Sequence, residues 1–68
     1  MRAISGREFC RVLERHGWRL MRVNGSQHIY GKPGVNLRLS IPVHGNDSLK
    51  TGLVRHLMKL AGLTEADI

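Results

Sequence analysis

One cysteine, two prolines, three aromatic residues and five acidic side chains are all that this 68-residue chain holds of those types. Each scarcity excludes something. With Cys10 alone there is no disulfide framework and no zinc site built on paired thiolates. Glu8, Glu14, Asp47, Glu65 and Asp67 do not group at ligand spacing, so a phosphodiester site built on two metal ions is not expected. His16, His28, His44 and His56 also lack a metal-binding grouping. No cofactor motif is visible. The apolar runs are only a few residues long, too short for a membrane span. The opening Met1–Cys10 stretch has no apolar core of a signal peptide. An unpaired cysteine beside that absence predicts a cytoplasmic protein. The length leaves room for one domain, residues 1–68.

Positive charge is what the chain has in excess. Eleven Lys and Arg oppose five Asp and Glu, for a formal net charge of +6. Residues 1–22 carry Arg2, Arg7, Arg11, Arg15, Arg19 and Arg22 against only Glu8 and Glu14. A basic small domain attracts polyanions, nucleic acid or an acidic protein. Arginine outnumbers lysine eight to three, which suits phosphate and base contacts because the guanidinium is a planar fork.

Local signals order the chain. Ser5-Gly6-Arg7-Glu8 has the form of a capping box, with Ile4 and Phe9 placed as a hydrophobic staple. Phe9, Val12, Leu13 and His16 follow at helical spacing, and Arg7, Arg11 and Arg15 recur every four residues on another face. Cys10 falls inside this pattern and reads as a small buried hydrophobe. Gly17 ends the helix. Trp18–Val23 suits a strand, Asn24-Gly25-Ser26 a hairpin turn, and His28–Lys32 a second strand. Pro33-Gly34 turns again. Val35, Leu37, Leu39, Ile41 and Val43 then alternate with polar positions, the mark of a half-buried strand that Pro42 ends or confines to an edge. Asp47 or Ser48 is placed to cap a second helix whose stripe is Leu49, Leu53, Val54, Leu57, Leu60 and Ala61. Gly52 inside it suggests a close backbone contact, and Gly62 ends it. The fold expected is a two-layer α+β domain of order α-β-β-β-α, with a three-stranded antiparallel sheet and both helices on one face.

Histidine is the group suited to proton transfer near neutral pH. His16 reads as packed or helix-capping and His56 as solvent-facing. His44, at the end of the third strand, suits anchoring and function equally. His28 opens the second strand just after a turn glycine, which lets backbone approach a substrate, and Ser26 adds a hydroxyl. RNA cleavage needs little more. A ribose 2′-hydroxyl attacks its neighbouring phosphate once a base draws off the proton, and a cation holds the charge that builds.

Five stretches carry a family resemblance: Gly17-Trp18, Gly25-Ser26-Gln27-His28-Ile29-Tyr30, Ile41-Pro42-Val43-His44-Gly45, Leu49-Lys50-Thr51-Gly52-Leu53 and Ala61-Gly62-Leu63. In that order they resemble the HicA toxins (YcfA-like proteins) over nearly the whole chain. The resemblance implies a fold like the double-stranded-RNA-binding domain and an mRNA interferase that cuts messenger RNA to block translation. It also implies a HicB antitoxin that covers the active site. The family's catalytic histidine maps onto His28, in the form G-S-x-H; many members carry histidine one place earlier, where this chain has Gln27. Arg22, Ser26, Gln27, Lys32 and Arg38 are the nearby candidates for RNA contacts. The alternative is an RNA-binding module without catalysis; a third reading is an interaction domain for an acidic protein.

One point of geometry stays open in the sequence. If Lys32 pairs with Val35, His28 and Tyr30 share the face of Leu37 and Leu39. A three-residue turn would put Ile29 there and swing His28 to the other side, because a slip of one residue inverts every side chain.

Overall fold

The structure, a computed structural model, describes residues 2–68. Its elements are α1 (Gly6–Arg15), β1 (Arg19–Asn24), β2 (Gln27–Lys32), β3 (Val35–Pro42), α2 (Thr51–Ala61) and a 3-10 turn at Glu65–Asp67. The strands form one antiparallel sheet in the order β1-β2-β3. The α-β-β-β-α order is the one expected. Both helices pack on the face that carries Tyr30, Leu39 and Ile41. Between them lies a core of Ile4, Phe9, Val12, Leu13, Trp18, Val54, Leu57 and Met58.

The start of α1 is built by its own sequence. The Glu8 N–H donates to Ser5 Oγ at 3.1 Å, and the Ser5 N–H donates to Glu8 Oε1 at 3.0 Å. These reciprocal bonds satisfy donors that a helix end otherwise leaves bare. The backbone and side-chain bonds from Ser5 hold the Glu8 carboxyl below its ordinary 4.5, with Arg2 a smaller contribution. A carboxyl whose folded pKa is depressed stabilises the fold above its unfolded value and loses that contribution as pH falls through the folded one. Melting temperature should therefore drop as pH is lowered through and below about 4.5. In Glu8→Ala the same titration should be flatter; an equally steep fall in the variant would show that the capping carboxylate is not responsible.

Gly6, the spacer in that motif, is the most closely approached glycine of the chain. A β-carbon there would collide with the Pro42 carbonyl oxygen and crowd the Val43 α-carbon. Further links join the same ends of the molecule. The Leu49 N–H donates to the Ile4 carbonyl at 2.8 Å, Ser5 bridges Ser48, and the Val43 N–H donates to the Ser26 carbonyl at 2.8 Å. Helix α1 is thereby seated with its first turn over the end of β3 and beside the β1–β2 turn.

The parity left open by the sequence is decided by an irregular ladder. Gly25, at φ +62°, and Ser26, at negative φ, form the two-residue turn closed by Asn24 and Gln27, the pattern of a type II′ hairpin. Pro33-Gly34 is closed by Lys32 and Val35, with Gly34 at φ +79°. That pattern is type II, whose twist does not match the strands it joins. The ladder shifts accordingly: Lys32 faces Val35, yet Tyr30 faces Leu39 and His28 faces Ile41. Strand β3 thus carries two extra residues. An even offset preserves facing, so His28 and Tyr30 lie on the helix-covered side. Leu37 does not join the core as alternation predicted; it stands 38% exposed in the irregular stretch.

The second helix starts later than expected. Its N-cap is Lys50, without a side-chain cap bond, and neither Asp47 nor Ser48 caps it. The reason is that Ser48 and Leu49 are engaged in extended pairing with Ile4 and Ser5. Gly52 has no close neighbour where a β-carbon would project, so the expected backbone contact is not there. Leu60 is 39% exposed and Met58 takes a core position in its place. Gly62 closes the helix at φ +71°, as its placement indicated.

Candidate active site

His28 opens into a groove of ≈ 310 Å³ between α1 and the sheet, lined also by Arg7, Cys10, Arg11, Glu14, Leu20, Tyr30 and Val43. The β2 ladder aims it there, between Val23 of β1 and Ile41 of β3. The histidine is half-buried and its side chain makes no hydrogen bond or ion pair among the described residues. Both ring nitrogens are therefore free for a ligand.

Helix α1 supplies the other wall. Arg7 and Arg11 are one turn apart, both exposed, and neither has a carboxylate or carbonyl partner among the described residues. Beside them the Tyr30 hydroxyl donates to Glu14 Oε2 at 2.6 Å. Burial, and then the bonds with Glu14 and Cys10, push the Tyr30 phenol far above its ordinary 10, so it stays a protonated donor. Burial also pushes the Cys10 thiol up, against a weaker opposing pull from Tyr30. That suppresses the thiolate a nucleophilic cysteine would need. Cys10 is buried at the groove floor, as its place in the helical pattern suggested.

The other candidates lie elsewhere. Arg22 pairs with Ile29 on the uncovered face of the sheet. Gln27 is on that face too, where its Oε1 accepts from Ser40 Oγ at 2.7 Å. Ser26 is at the hairpin tip, with its carbonyl occupied by Val43. Lys32 sits at the far end of β2, its Nζ 5.8 Å from the centre of the Trp18 ring. Arg38 folds back on its own strand, donating to the Val35 and Leu37 carbonyls at 3.3 and 3.5 Å. None of these five lines the groove with His28. His16 is exposed near Asp67, at 3.6 Å, and His44 and His56 are exposed outside the groove. Among the described residues no three His, Cys, Asp or Glu side chains come together to hold a metal ion.

Arg7 and Arg11 are the groove residues that sequence reasoning did not connect with His28. Their four-residue spacing was visible. What aims that row at the second strand is the seating of α1 through Gly6, a contact between distant parts of the chain.

A small basic domain with a histidine and two unpaired arginines in one open groove belongs, on comparison with known families, to the toxins of toxin–antitoxin pairs. The model described as the HicA toxin of bacterial toxin–antitoxin systems matches residues 6–63. The chain belongs to the HicA toxin family, a family known for ribonuclease activity, and membership implies an antitoxin partner. No curated protein matches the chain. Among the described residues no helix is long and apolar enough to cross a membrane.

Proposed function

We propose that this toxin is a metal-independent endoribonuclease that cuts messenger RNA in the cytoplasm and so inhibits translation, with His28 as its acid–base group. The observation that carries the reading is the unengaged imidazole in a groove whose opposite wall presents two unpaired guanidinium groups. Neutral His28 takes the proton of a ribose 2′-hydroxyl. The 2′ oxygen bonds to the adjacent phosphorus, and the bond from phosphorus to the 5′ oxygen breaks. The leaving oxygen takes a proton from water, which the open groove admits. Arg7 and Arg11 hold the phosphate and offset the charge that grows on its oxygens. The products are a 2′,3′-cyclic phosphate and a 5′-hydroxyl end.

Arg22, Ser26, Gln27, Lys32 and Arg38, away from the groove, remain candidates for RNA beyond the scissile bond. A HicB-type antitoxin that covers the groove would silence the enzyme by occlusion.

Purified protein incubated with single-stranded RNA in EDTA should yield new ends of this chemistry. Tight binding with a steep salt dependence and no new ends would instead identify an RNA-binding module without catalysis.

A further inference from the structure

The uncovered face of the sheet holds a second hollow, remote from His28. Its volume is ≈ 430 Å³, larger than that of the groove, and its lining includes Arg19, Met21, Gly31, Lys32, Val35 and Arg38. Its lining residues include three cations and no acid, and two of the cations, Arg19 and Arg38, belong to the uncovered face, while Lys32 turns its Nζ toward Trp18.

The floor is built for close approach. Gly31 leaves the strand bare, and the Arg38 guanidinium lies across it, so close that a β-carbon on residue 31 would sit 3.1 Å from three guanidinium atoms. Bonds to the Val35 and Leu37 carbonyls hold that fork in place before any ligand arrives. Arg19 has no partner among the described residues. Met21, 55% exposed at the β1 bulge, and Val35 supply apolar wall. A fixed planar cation, a second guanidinium beside it and an apolar side match a nucleotide, which pairs an anionic phosphate with a flat apolar face.

We propose that the hollow over Gly31 is a second nucleotide site, which binds RNA outside the cleavage groove. It rests on the reading of RNA as substrate. The two sites lie on opposite faces of the sheet, and β1, an edge strand that contributes Leu20 to the groove and Arg19 and Met21 to the hollow, is the shared border an RNA chain would cross to fill both. Arg22, on the uncovered face of that strand, borders the path. An acidic protein is the competing occupant. The pocket-like floor and the preset guanidinium favour a nucleotide over the flatter contact of a protein surface.

The test uses a 2′-O-methyl RNA 20-mer, which lacks the attacking hydroxyl, so binding is read without cleavage and regardless of what His28 does. Arg19→Gln and Arg38→Gln should each weaken binding and lower the slope of log affinity against log salt by about 0.7, the loss of one phosphate contact on a single strand. Cleavage of a dinucleotide by Arg19→Gln should be unchanged, because so short a substrate fills only the groove. Melting curves check that both variants are folded. Binding curves that overlay the wild type at every salt concentration would overturn the proposal, as would loss of antitoxin binding with RNA binding intact. Absence of cleavage by the wild type would count against the ribonuclease reading alone.

Discussion

His28→Ala should lower the rate of RNA cleavage by about 10²- to 10⁴-fold, the range that a positioned acid–base group contributes. The fold should survive. The imidazole is half-buried and holds no hydrogen bond, so its removal leaves no orphaned partner behind. The expected stability cost is about 1 kcal/mol or less, the usual range for a side chain outside the close-packed interior. Two measurements decide it: cleavage of a labelled RNA, and thermal unfolding followed by circular dichroism. A variant that melts normally and cuts at the wild-type rate removes His28 from the mechanism. A variant that fails to cut but still binds RNA separates chemistry from recognition.

Gly6→Ala should be strongly destabilising for the addition of a single methyl group. The added carbon meets the backbone of Pro42 and Val43, not the free end of a flexible side chain. Neither partner can yield without moving the end of β3, and the adjacent bond from the Leu49 N–H to the Ile4 carbonyl would be strained with it. Overpacking of this kind costs about 1–3 kcal/mol, more where backbone must shift. A domain below 70 residues rarely has more than about 3–5 kcal/mol to lose. The melting temperature should fall by roughly 12–24 °C at the upper end of that cost. Residual cleavage should fall too, because Arg7 and Arg11 lose their alignment with His28. An unchanged melting temperature would mean that α1 does not seat on Pro42 in solution.

The two variants also show what could and could not be read from the chain alone. The capping box, the helix-ending glycines and the strand order are local, and each residue type carries its reason with it. So is the alternation that places Leu39 and Ile41 inward. Gly6 was silent because its constraint comes from Pro42, thirty-six positions later. The late start of α2 was silent for the same reason: Ser48 is drawn into pairing with Ser5, and no nearby residue announces that. The site divided along the same line. His28 stood out by type and by its turn. Its partners were sought among the strand residues near it in sequence, whereas the groove draws Arg7 and Arg11 from a helix some twenty positions earlier.

The pair of extra residues in the third strand has a consequence for how this hairpin tolerates change. Side chains alternate with a period of two, so lengthening or trimming the far end of the hairpin by an even number leaves the imidazole looking at the same two guanidiniums. An odd insertion there would put the second and third strands out of phase, so that either the imidazole or the apolar side chains opposite it on the third strand would have to turn outward.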